Sequence, residues 1–290
     1  NLFFRCCMKI VQIIGGLGNQ MFQFAFYLAL KEKYVNVKLD TSSFGAYTHN
    51  GFELDKVFHV EYLKASIRER IKLSYQGSEI WIRVLRKLLK RKKTEYVEPY
   101  LCFDENAISL SCDKYYIGYW QSYKYFTNIE AAIRGQFHFS KVLSDKNEFI
   151  KKQMQNSNSV SLHVRLGDYV NNPAYSNICT SAYYNKAINI IQSKVSEPKF
   201  FVFSDDTVWC KDHLKIPNCH IIDWNNKEES YWDMCLMTYC KHNIIANSSF
   251  SWWGAWLNTN PERIVIAPGK WINDDRVQVS DIIPSDWICV

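Results

Sequence analysis

The chain has 290 residues, 47% hydrophobic and 16% aromatic, which is enough to bury one large core or two cores of about 150 residues each. Its formal net charge of +6 comes from one segment, because seven basic residues lie between positions 83 and 93 and the rest of the chain is near neutral. This local charge argues against a broad nucleic-acid-binding face, and no apolar run reaches the roughly 18 residues that a membrane-spanning helix needs.

The first predicted strand covers residues 9–14, directly after Met8. We take Met8 as the natural start and residues 1–7 as non-native or disordered. A tight turn at 15–18, a helix at 20–34 and a strand at 35–39 follow. Further along, two polar segments flank a short helix and predict a boundary near residue 150, between an N-terminal domain, 1–150, and a C-terminal domain, 151–290.

The second half alternates strands and helices more clearly, which predicts an α/β fold with mostly parallel sheets. Strands are expected at 159–164, 200–203, 220–222, 243–246 and 264–267, and helices at 182–195, 231–240 and 252–257. Three of these strands end in polar residues. Because ligands of open α/β sheets bind beyond the carboxyl ends of the strands, we expect the three loops to meet in one crevice.

The ten cysteines are scattered along the chain without a C-x-x-C pair. Cys235 and Cys240 fall in apolar helical patterns, where free cysteine behaves as a small hydrophobic residue. This distribution favours a reduced, cytosolic setting, and no Cys/His cluster has the spacing of zinc ligands. We therefore expect a cytoplasmic protein that needs neither a metal nor a cofactor.

The first polar strand end is His163-Val-Arg165-Leu-Gly-Asp168-Tyr. Strand alternation puts His163 and Arg165 on one face, and a guanidinium offers a planar fork of donors that matches phosphate oxygens. Asp168 could orient the arginine or accept a hydrogen bond from a base or hydroxyl. The alternative is a structural Arg–Asp pair that caps the loop, and the spacing alone supports both equally.

The second polar strand end is Ser204-Asp205-Asp206, which could bind ribose hydroxyls or a guanine edge, or could form a solvated turn. It is not a D-x-D pattern, so a Mg²⁺ or Mn²⁺ clamp on a diphosphate is not indicated. Without a metal, Arg165 and backbone N–H groups at a helix end would have to stabilise a departing diphosphate.

The third polar strand end supplies those N–H groups in Asn247-Ser248-Ser249-Phe250-Ser251, which leads into a tryptophan-rich helix. Small hydroxyl residues before a helix expose backbone N–H groups and the positive end of the helix dipole, an arrangement suited to a diphosphate. The alternative is an ordinary serine N-cap.

The glycine turn Gly15-Gly16-Leu-Gly18-Asn19-Gln20 resembles a dinucleotide fingerprint, with Asp40 about 20 residues on. Met21 occupies the place of the third glycine, however, and two bulky amides stand at the turn. We favour a tight loop that presents an amide to a cleft between the domains.

The basic segment, residues 80–93, has apolar residues at helical spacing with basic residues largely between them. This pattern is typical of an interfacial amphipathic helix on an anionic membrane. The alternative is a surface helix that packs its apolar stripe on the core. We favour peripheral contact with the cytoplasmic face of the inner membrane.

Taken in order, these motifs resemble the bacterial α-1,2-fucosyltransferases of glycosyltransferase family 11. The resemblance runs from the opening at Met8 through Gly15–Gln23, the arginine motif at 163–169, Phe203–Asp206 and the 247–256 segment to Asp286-Trp287. It differs from many relatives at Leu166, where they have a second arginine. One phosphate contact is then absent here, or another basic residue supplies it.

The resemblance implies a GT-B fold, two Rossmann-like domains facing a cleft, with the acceptor on the N-terminal side and GDP-fucose on the C-terminal side. The implied reaction is a single inverting, metal-independent displacement that moves L-fucose from GDP-β-L-fucose to the 2-hydroxyl of a terminal β-galactoside. The acceptor would be an oligosaccharide, in some cases lipid-linked, in O-antigen or other surface-glycan synthesis. No nucleic acid is implied.

Residue by residue, the resemblance gives catalytic roles to Arg165, Asp168, Asn19 and His163. It gives donor-binding roles to Gly16, Gly18, Gln20, Ser204, Asp205, Asp206, Asn247, Ser248, Ser249, Phe250 and Ser251. The general base stays open among Asp168, Glu53, His49 and a phosphate oxygen. The rival functions are a transferase with a different nucleotide sugar or linkage, a non-catalytic glycan-binding module and, least favoured, a dinucleotide oxidoreductase.

Overall fold

The computed structural model describes residues 7–290 except 47–49, 100, 215, 218 and 277–280. The chain divides into two compact units that separate between Phe139 and Ser140. This division precedes the expected boundary near 150, because the helix Asp145–Gln155 packs Ile150 and Met154 into a core of the second unit. Residues 1–6 and His49 lie outside the described residues, so the expectations about the start of the chain and about His49 stay untested.

Within the described residues, the first unit is a four-stranded parallel sheet with six α-helices. Its strands are β1 Lys9–Gln12, β2 Val37–Asp40, β3 Glu95–Val97 and β4 Lys114–Ile117. Its helices are α1 Leu17–Lys31, α2 Glu53–Phe58, α3 Ile67–Leu73, α4 Ile80–Leu88, α5 Glu105–Ser109 and α6 Glu130–Gln136. The strand order is β2-β1-β4-β3, and every pairing is parallel. β3 and β4 were not predicted.

Helix α1 begins at Leu17 instead of residue 20. Gly15 has a φ of +82°, a left-handed conformation that glycine adopts without strain, and it turns the chain at once out of β1. Gly16 is the N-cap in an extended conformation. The helix is almost wholly buried, and Phe26 stacks on Trp120 with ring centroids 4.2 Å apart. The turn and the first helix are therefore fixed by the core beneath them.

The described part of the second unit is a six-stranded parallel sheet with five α-helices. Its strands are β5 Asn158–Val164, β6 Pro198–Ser204, β7 Cys219–Ile222, β8 His242–Ile244, β9 Val265–Ala267 and β10 Ile288–Cys289. Its helices are α7 Asp145–Gln155, α8 Ser181–Lys194, α9 Thr207–His213, α10 Tyr231–Tyr239 and α11 Ser249–Trp256. The predicted strands and helices all occur, with ends shifted by a few residues, whereas α9 and β10 were not predicted.

The strand order β10-β9-β8-β5-β6-β7 puts β5 between β6 and β8. From β5 the chain proceeds to β6 and β7 on one side and later returns to β8 on the other. Such a reversal is a topological switch point, where the carboxyl ends of neighbouring strands open a crevice for ligands. The three polar strand ends named in the sequence are thus direct neighbours.

None of the helices in the described part of the chain is both long enough and apolar enough to span a membrane.

Candidate active site

The three strand ends of the second unit are joined by hydrogen bonds. The backbone N–H of Leu166, just after β5, donates to Asp205 Oδ1 after β6 over 2.9 Å. The hydroxyl of Tyr169 donates to the carbonyl oxygen of Asn247, between β8 and α11, over 3.3 Å. The structure therefore brings the His/Arg/Asp, Ser/Asp/Asp and Asn/Ser/Ser loops together, as the order of motifs predicted.

Arg165 lies between two carboxylates. Its Nη1 is 2.9 Å from Asp205 Oδ2, and its Nη2 is 2.6 Å from Asp168 Oδ1. The guanidinium carbon lies 5.3 Å from the ring centroid of Tyr169. The Arg165 side chain stays 32% exposed, and a guanidinium has five N–H donors, so donors remain for a ligand. The two carboxylates hold the guanidinium in a fixed position at the crevice.

Asp205 organises the turn around Arg165. Its carboxylate binds the guanidinium and accepts the N–H of Leu166. A Cβ atom on Gly167 would lie 2.5 Å from Asp205 Oδ2, so the close approach of this carboxylate requires glycine there. The side chain of Leu166 packs against the hydrophobic core of the second unit, so this position contributes its backbone N–H to the site.

The neighbours of Asp205 have local structural roles. Asp206 is the N-cap of α9 and accepts the backbone N–H of Trp209 over 2.9 Å. The hydroxyl oxygen of Ser204 accepts the N–H of Asp206 over 2.9 Å. These bonds correspond to the turn that was the alternative for this loop. For Ser204 and Asp206 the geometry accordingly favours shaping the loop over holding a donor.

Helix α11 points its N-terminus at the crevice. Ser248 is its N-cap, and the Ser248 side chain makes no capping hydrogen bond within the described residues. The hydroxyl of Ser251 donates to the carbonyl oxygen of Ser248 over 3.3 Å. Asn247 is buried, and its amide donates to the carbonyl oxygen of Trp271 over 3.1 Å. This geometry does not fit the ordinary serine cap and favours an anion-binding helix end at Ser249 and Phe250, which are partly exposed.

His163 is buried at the end of β5, and its Nδ1 has no hydrogen-bond partner among the described residues. Burial, with a smaller contribution from the charge of Arg165, lowers the pKa of His163 to about 3. The imidazole is therefore neutral near pH 7. It can make a hydrogen bond to a ligand but cannot exchange a proton as a general acid or base at that pH.

The glycine turn of the first unit is held by its own amides. The Gln20 side chain is buried, donates to the carbonyl oxygens of Gly15 and Gly51, and accepts the N–H of Glu53. This gives Gln20 a structural role in place of a donor contact. Gly18 is buried inside α1, whereas Gly16 is partly exposed with open space around its Cα. Asn19 is partly exposed, and its Oδ1 accepts from Gln121 over 2.7 Å.

The structure also assigns Glu53 to the start of α1. Its carboxylate is buried and accepts the N–H of Leu17 over 3.1 Å and the side-chain amide of Asn50 over 3.2 Å. A carboxylate at a helix N-terminus is stabilised in its charged form and fills that position. This geometry makes Glu53 a helix cap and weakens its candidacy as general base.

Three residues of the two sheet edges were missed by the sequence argument, namely Tyr169, Gln121 and Glu98. The Glu98 carboxylate accepts the backbone N–H of Tyr119 over 2.7 Å and that of Trp120 over 3.1 Å. Burial raises the pKa of Glu98 to about 7, against the lowering effect of these hydrogen bonds. Glu98 and Gln121 could have been found as polar residues that follow β3 and β4, but only if these two strands had been predicted first.

No cluster of three or more His, Cys, Asp or Glu side chains within the described ranges is placed to hold a metal ion.

Comparison with known proteins identifies the family. The sequence profile of the family described as Glycosyl transferase family 11 matches residues 6–290. The chain belongs to glycosyl transferase family 11. An alpha-1,2-colitosyltransferase of Escherichia coli is 33% identical over 96% of this chain and 97% of its own length. The O-antigen biosynthesis glycosyltransferase WbnK of Escherichia coli is 32% identical over 94% of this chain and 97% of its own length. The predicted family and enzyme class are confirmed.

Among solved structures, this family 11 glycosyltransferase is similar to the fucosyltransferase NodZ from Bradyrhizobium. The TM-score is 0.50 at 14% sequence identity, over 86% of this chain and 92% of NodZ. A likeness at this identity speaks for the fold alone. Together with the two parallel sheets, it confirms the expected α/β fold of GT-B type.

Proposed function

We propose that the chain transfers L-fucose from GDP-β-L-fucose to the 2-hydroxyl of a terminal β-galactoside, with inversion to an α-1,2 linkage. Membership of family 11 supports glycosyl transfer, and the similarity to an alpha-1,2-colitosyltransferase supports the 1,2 linkage. The observation that carries the proposal is Arg165, held by Asp205 and Asp168. The loop that leads into helix α11 is bonded to the same turn, and the buried His163 has an Nδ1 without a hydrogen-bond partner among the described residues. We take these groups as the site that receives the donor diphosphate.

In the proposed reaction, most stabilisation falls on the departing GDP. The bond between the sugar and the β-phosphate breaks as the acceptor oxygen attacks the opposite face of the sugar, and negative charge develops on the diphosphate. Arg165 and the first N–H groups of α11 would stabilise this charge, which lowers the barrier because the charge is larger in the transition state than in the bound donor. His163 would contribute a neutral hydrogen bond at the same place.

The proton of the acceptor hydroxyl needs a receiver. Asp168 is 60% exposed and pairs with Arg165, so its carboxylate is reachable from solvent. A phosphate oxygen of the donor is the other receiver that the proposal allows. Asn19 would assist the reaction from the first unit as a hydrogen-bonding amide, with its orientation set by Gln121.

The similarity to the colitosyltransferase also favours a second donor sugar, colitose, which is L-fucose without its 3-hydroxyl. We propose that it too is carried on GDP. The acceptor is proposed to be a galactose-ended oligosaccharide for O-antigen or another surface glycan, in line with the similarity to the O-antigen biosynthesis glycosyltransferase WbnK. We propose that the reaction takes place in the cytoplasm, on an acceptor that is carried in some cases on a lipid at the inner membrane.

The test is release of GDP from GDP-β-L-fucose with lactose or N-acetyllactosamine as acceptor, in EDTA, with the product linkage determined by NMR. GDP-colitose, GDP-mannose and UDP-galactose are compared at equal concentration. Acceptor-dependent turnover of GDP-fucose in EDTA and a 1,2 linkage are expected. Faster turnover of GDP-colitose would establish the second donor. Binding of the acceptor oligosaccharide without turnover of any donor would indicate a glycan-binding module and contradict the proposal.

A further inference from the structure

Helix α4 turns an apolar stripe to solvent. Ile80 is 79% exposed, Trp81 50%, Val84 49% and Leu88 76%, and the spacing of these four residues puts them on one side of the helix. Ile82, on the opposite side, is fully buried. The alternative in which this stripe packs on the core is therefore wrong, because the core holds the helix by its other side.

Most basic residues of the segment are exposed to solvent and not used in ion pairs. Within the described part of the chain, Arg83, Arg86, Lys87, Lys90 and Lys93 are exposed and make no ion pair. Lys92 is different, because its amine donates to the carbonyl oxygen of Ile71 and lies 4.3 Å from the ring centroid of Tyr75. Lys92 thus fixes the segment to the first unit, and its neighbours carry the outward charge.

An exposed apolar stripe beside unpaired basic residues fits one kind of partner, an anionic lipid surface. The apolar side chains enter the boundary between head groups and acyl chains, and the basic residues lie at the level of the phosphates. A nucleic acid would leave the apolar stripe without a partner. A nine-residue helix is about 13.5 Å long, less than half of the roughly 30 Å of a bilayer core, so it lies on the surface and does not cross it.

We propose that residues 80–93 dock the chain on an anionic phospholipid bilayer, with Ile80, Trp81, Val84 and Leu88 inserted between head groups. The five unpaired basic residues contact lipid phosphates. This contact is independent of the proposed reaction, since α4 contributes no residue to the candidate active site.

The first experiment is cosedimentation of the full chain with phosphatidylcholine vesicles that contain either no or about one-third phosphatidylglycerol. Binding to the anionic vesicles is expected to be roughly tenfold tighter or more, and to weaken as salt is raised. The double variant Trp81→Ser/Leu88→Ser should lose this binding. Its matched control, Val142→Ser/Val208→Ser, changes two valines that are 93% and 67% exposed elsewhere, and should bind like the unaltered chain.

The charges are tested in the same way. Arg83→Glu/Lys87→Glu should abolish the preference for anionic vesicles, whereas Lys152→Glu/Lys194→Glu, which makes the same change at exposed lysines of the second unit, should keep it. Thermal midpoints check that each variant is folded. Equal binding to both vesicles, or equal binding by both charge variants, would overturn the proposal. So would a concentration-dependent dimer that Trp81→Ser/Leu88→Ser dissociates, since the stripe would then be a self-association surface.

Discussion

The carboxyl edges of the two sheets are built from similar loops, but they use their polar groups differently. In the first unit, Gln20 and Gln23 are fully buried, and their amides bond to the backbone of adjacent loops. In the second unit, Arg165 remains one-third exposed and His163 Nδ1 has no partner among the described residues. At the first edge these amides are used within the unit, whereas at the second edge the side chains keep hydrogen-bonding groups for a ligand.

This difference indicates that the edge of the second unit is the one suited to bind an anionic ligand. A developing negative charge is stabilised by donors that are already in place, and those donors lie in the second unit. The first unit offers a rigid turn and Glu98, a carboxyl group whose pKa is about 7. Each prediction below changes one edge and uses the other edge, or a matched residue, as its reference.

The largest effect is expected for Arg165→Lys. Lysine keeps the charge but has no planar fork, so it cannot hold Asp205, Asp168 and a phosphate oxygen together. We expect kcat/KM to fall by roughly 10²- to 10³-fold, the cost of losing one preorganised donor to a developing anion. Steady-state kinetics measure it. Arg263→Lys, at the arginine that pairs with Asp286 in the same unit, is the control and should stay near the original rate. A loss below tenfold would contradict the role of Arg165.

A smaller effect is expected for alanine at two glycines, one on each edge. Gly167→Ala would push Asp205 away and shift Arg165, so activity should fall by roughly 10- to 100-fold, as small misplacements of reacting groups do. Gly16→Ala adds a methyl group to open space, so the thermal midpoint should not change. If the donor contacts Gly16 as the sequence predicted, kcat/KM should nevertheless fall by roughly tenfold, which corresponds to an increase of about 1.4 kcal/mol in the activation free energy. An unchanged rate would remove Gly16 from the donor site.

The smallest effect is on the pH dependence of kcat/KM, where the contributions of Glu98 and His163 are compared. When Glu98 is protonated, below about pH 7, it no longer accepts two N–H groups as a carboxylate, and the turn that leads to Gln121 and Asn19 loosens. We expect kcat/KM to rise with pH through about 7. Glu98→Gln should remove this rise with pH. His163→Gln should lower kcat/KM at every pH but leave the rise in place, because the pKa of His163 is about 3 and lies outside this range.

Stability should change in the opposite direction to activity. Glu98 binds its proton more tightly in the folded chain than in the unfolded chain, where the pKa is 4.5. Its contribution to the free energy of unfolding is therefore full below pH 4.5, decreases up to about pH 7 and is constant above it. Urea unfolding of the original chain and of Glu98→Gln measures this. A pH profile of activity that Glu98→Gln leaves intact would assign the ionisation to another group.

Much of the second unit could be predicted because its central strands are apolar runs that end abruptly in charged or amide residues. The run before Arg165 and the run before Asp205 mark the ends of β5 and β6 within one or two residues. Their adjacency gives the Arg165–Asp205 pair. The separate roles of Asp205 and Asp206 could not be predicted, since they depend on where α9 begins.

The first unit was harder to predict, because the sequences of β3 (Glu-Tyr-Val) and β4 (Lys-Tyr-Tyr-Ile) lack an apolar run that ends abruptly at a polar residue. β3 has three residues and β4 has four, and only pairing with β1 and with each other defines them. Glu98 and Gln121 follow these strands, so they were missed together. Trp120 adds a second reason, since its φ of 57° is rare for a bulky residue and results from burial against Phe26.

The bonds of Asp205 determine which positions of the turn can change independently in evolution. Asp205 depends on the positive charge at position 165 and on the small residue at position 167, so a change at any of the three requires a compensating change and we expect them to covary among relatives. Position 166 joins them only through its N–H, which every residue except proline supplies. Replacement of arginine by leucine at this position thus leaves the hydrogen-bonded turn unaltered, and a lineage can gain or lose a positive charge here in a single step.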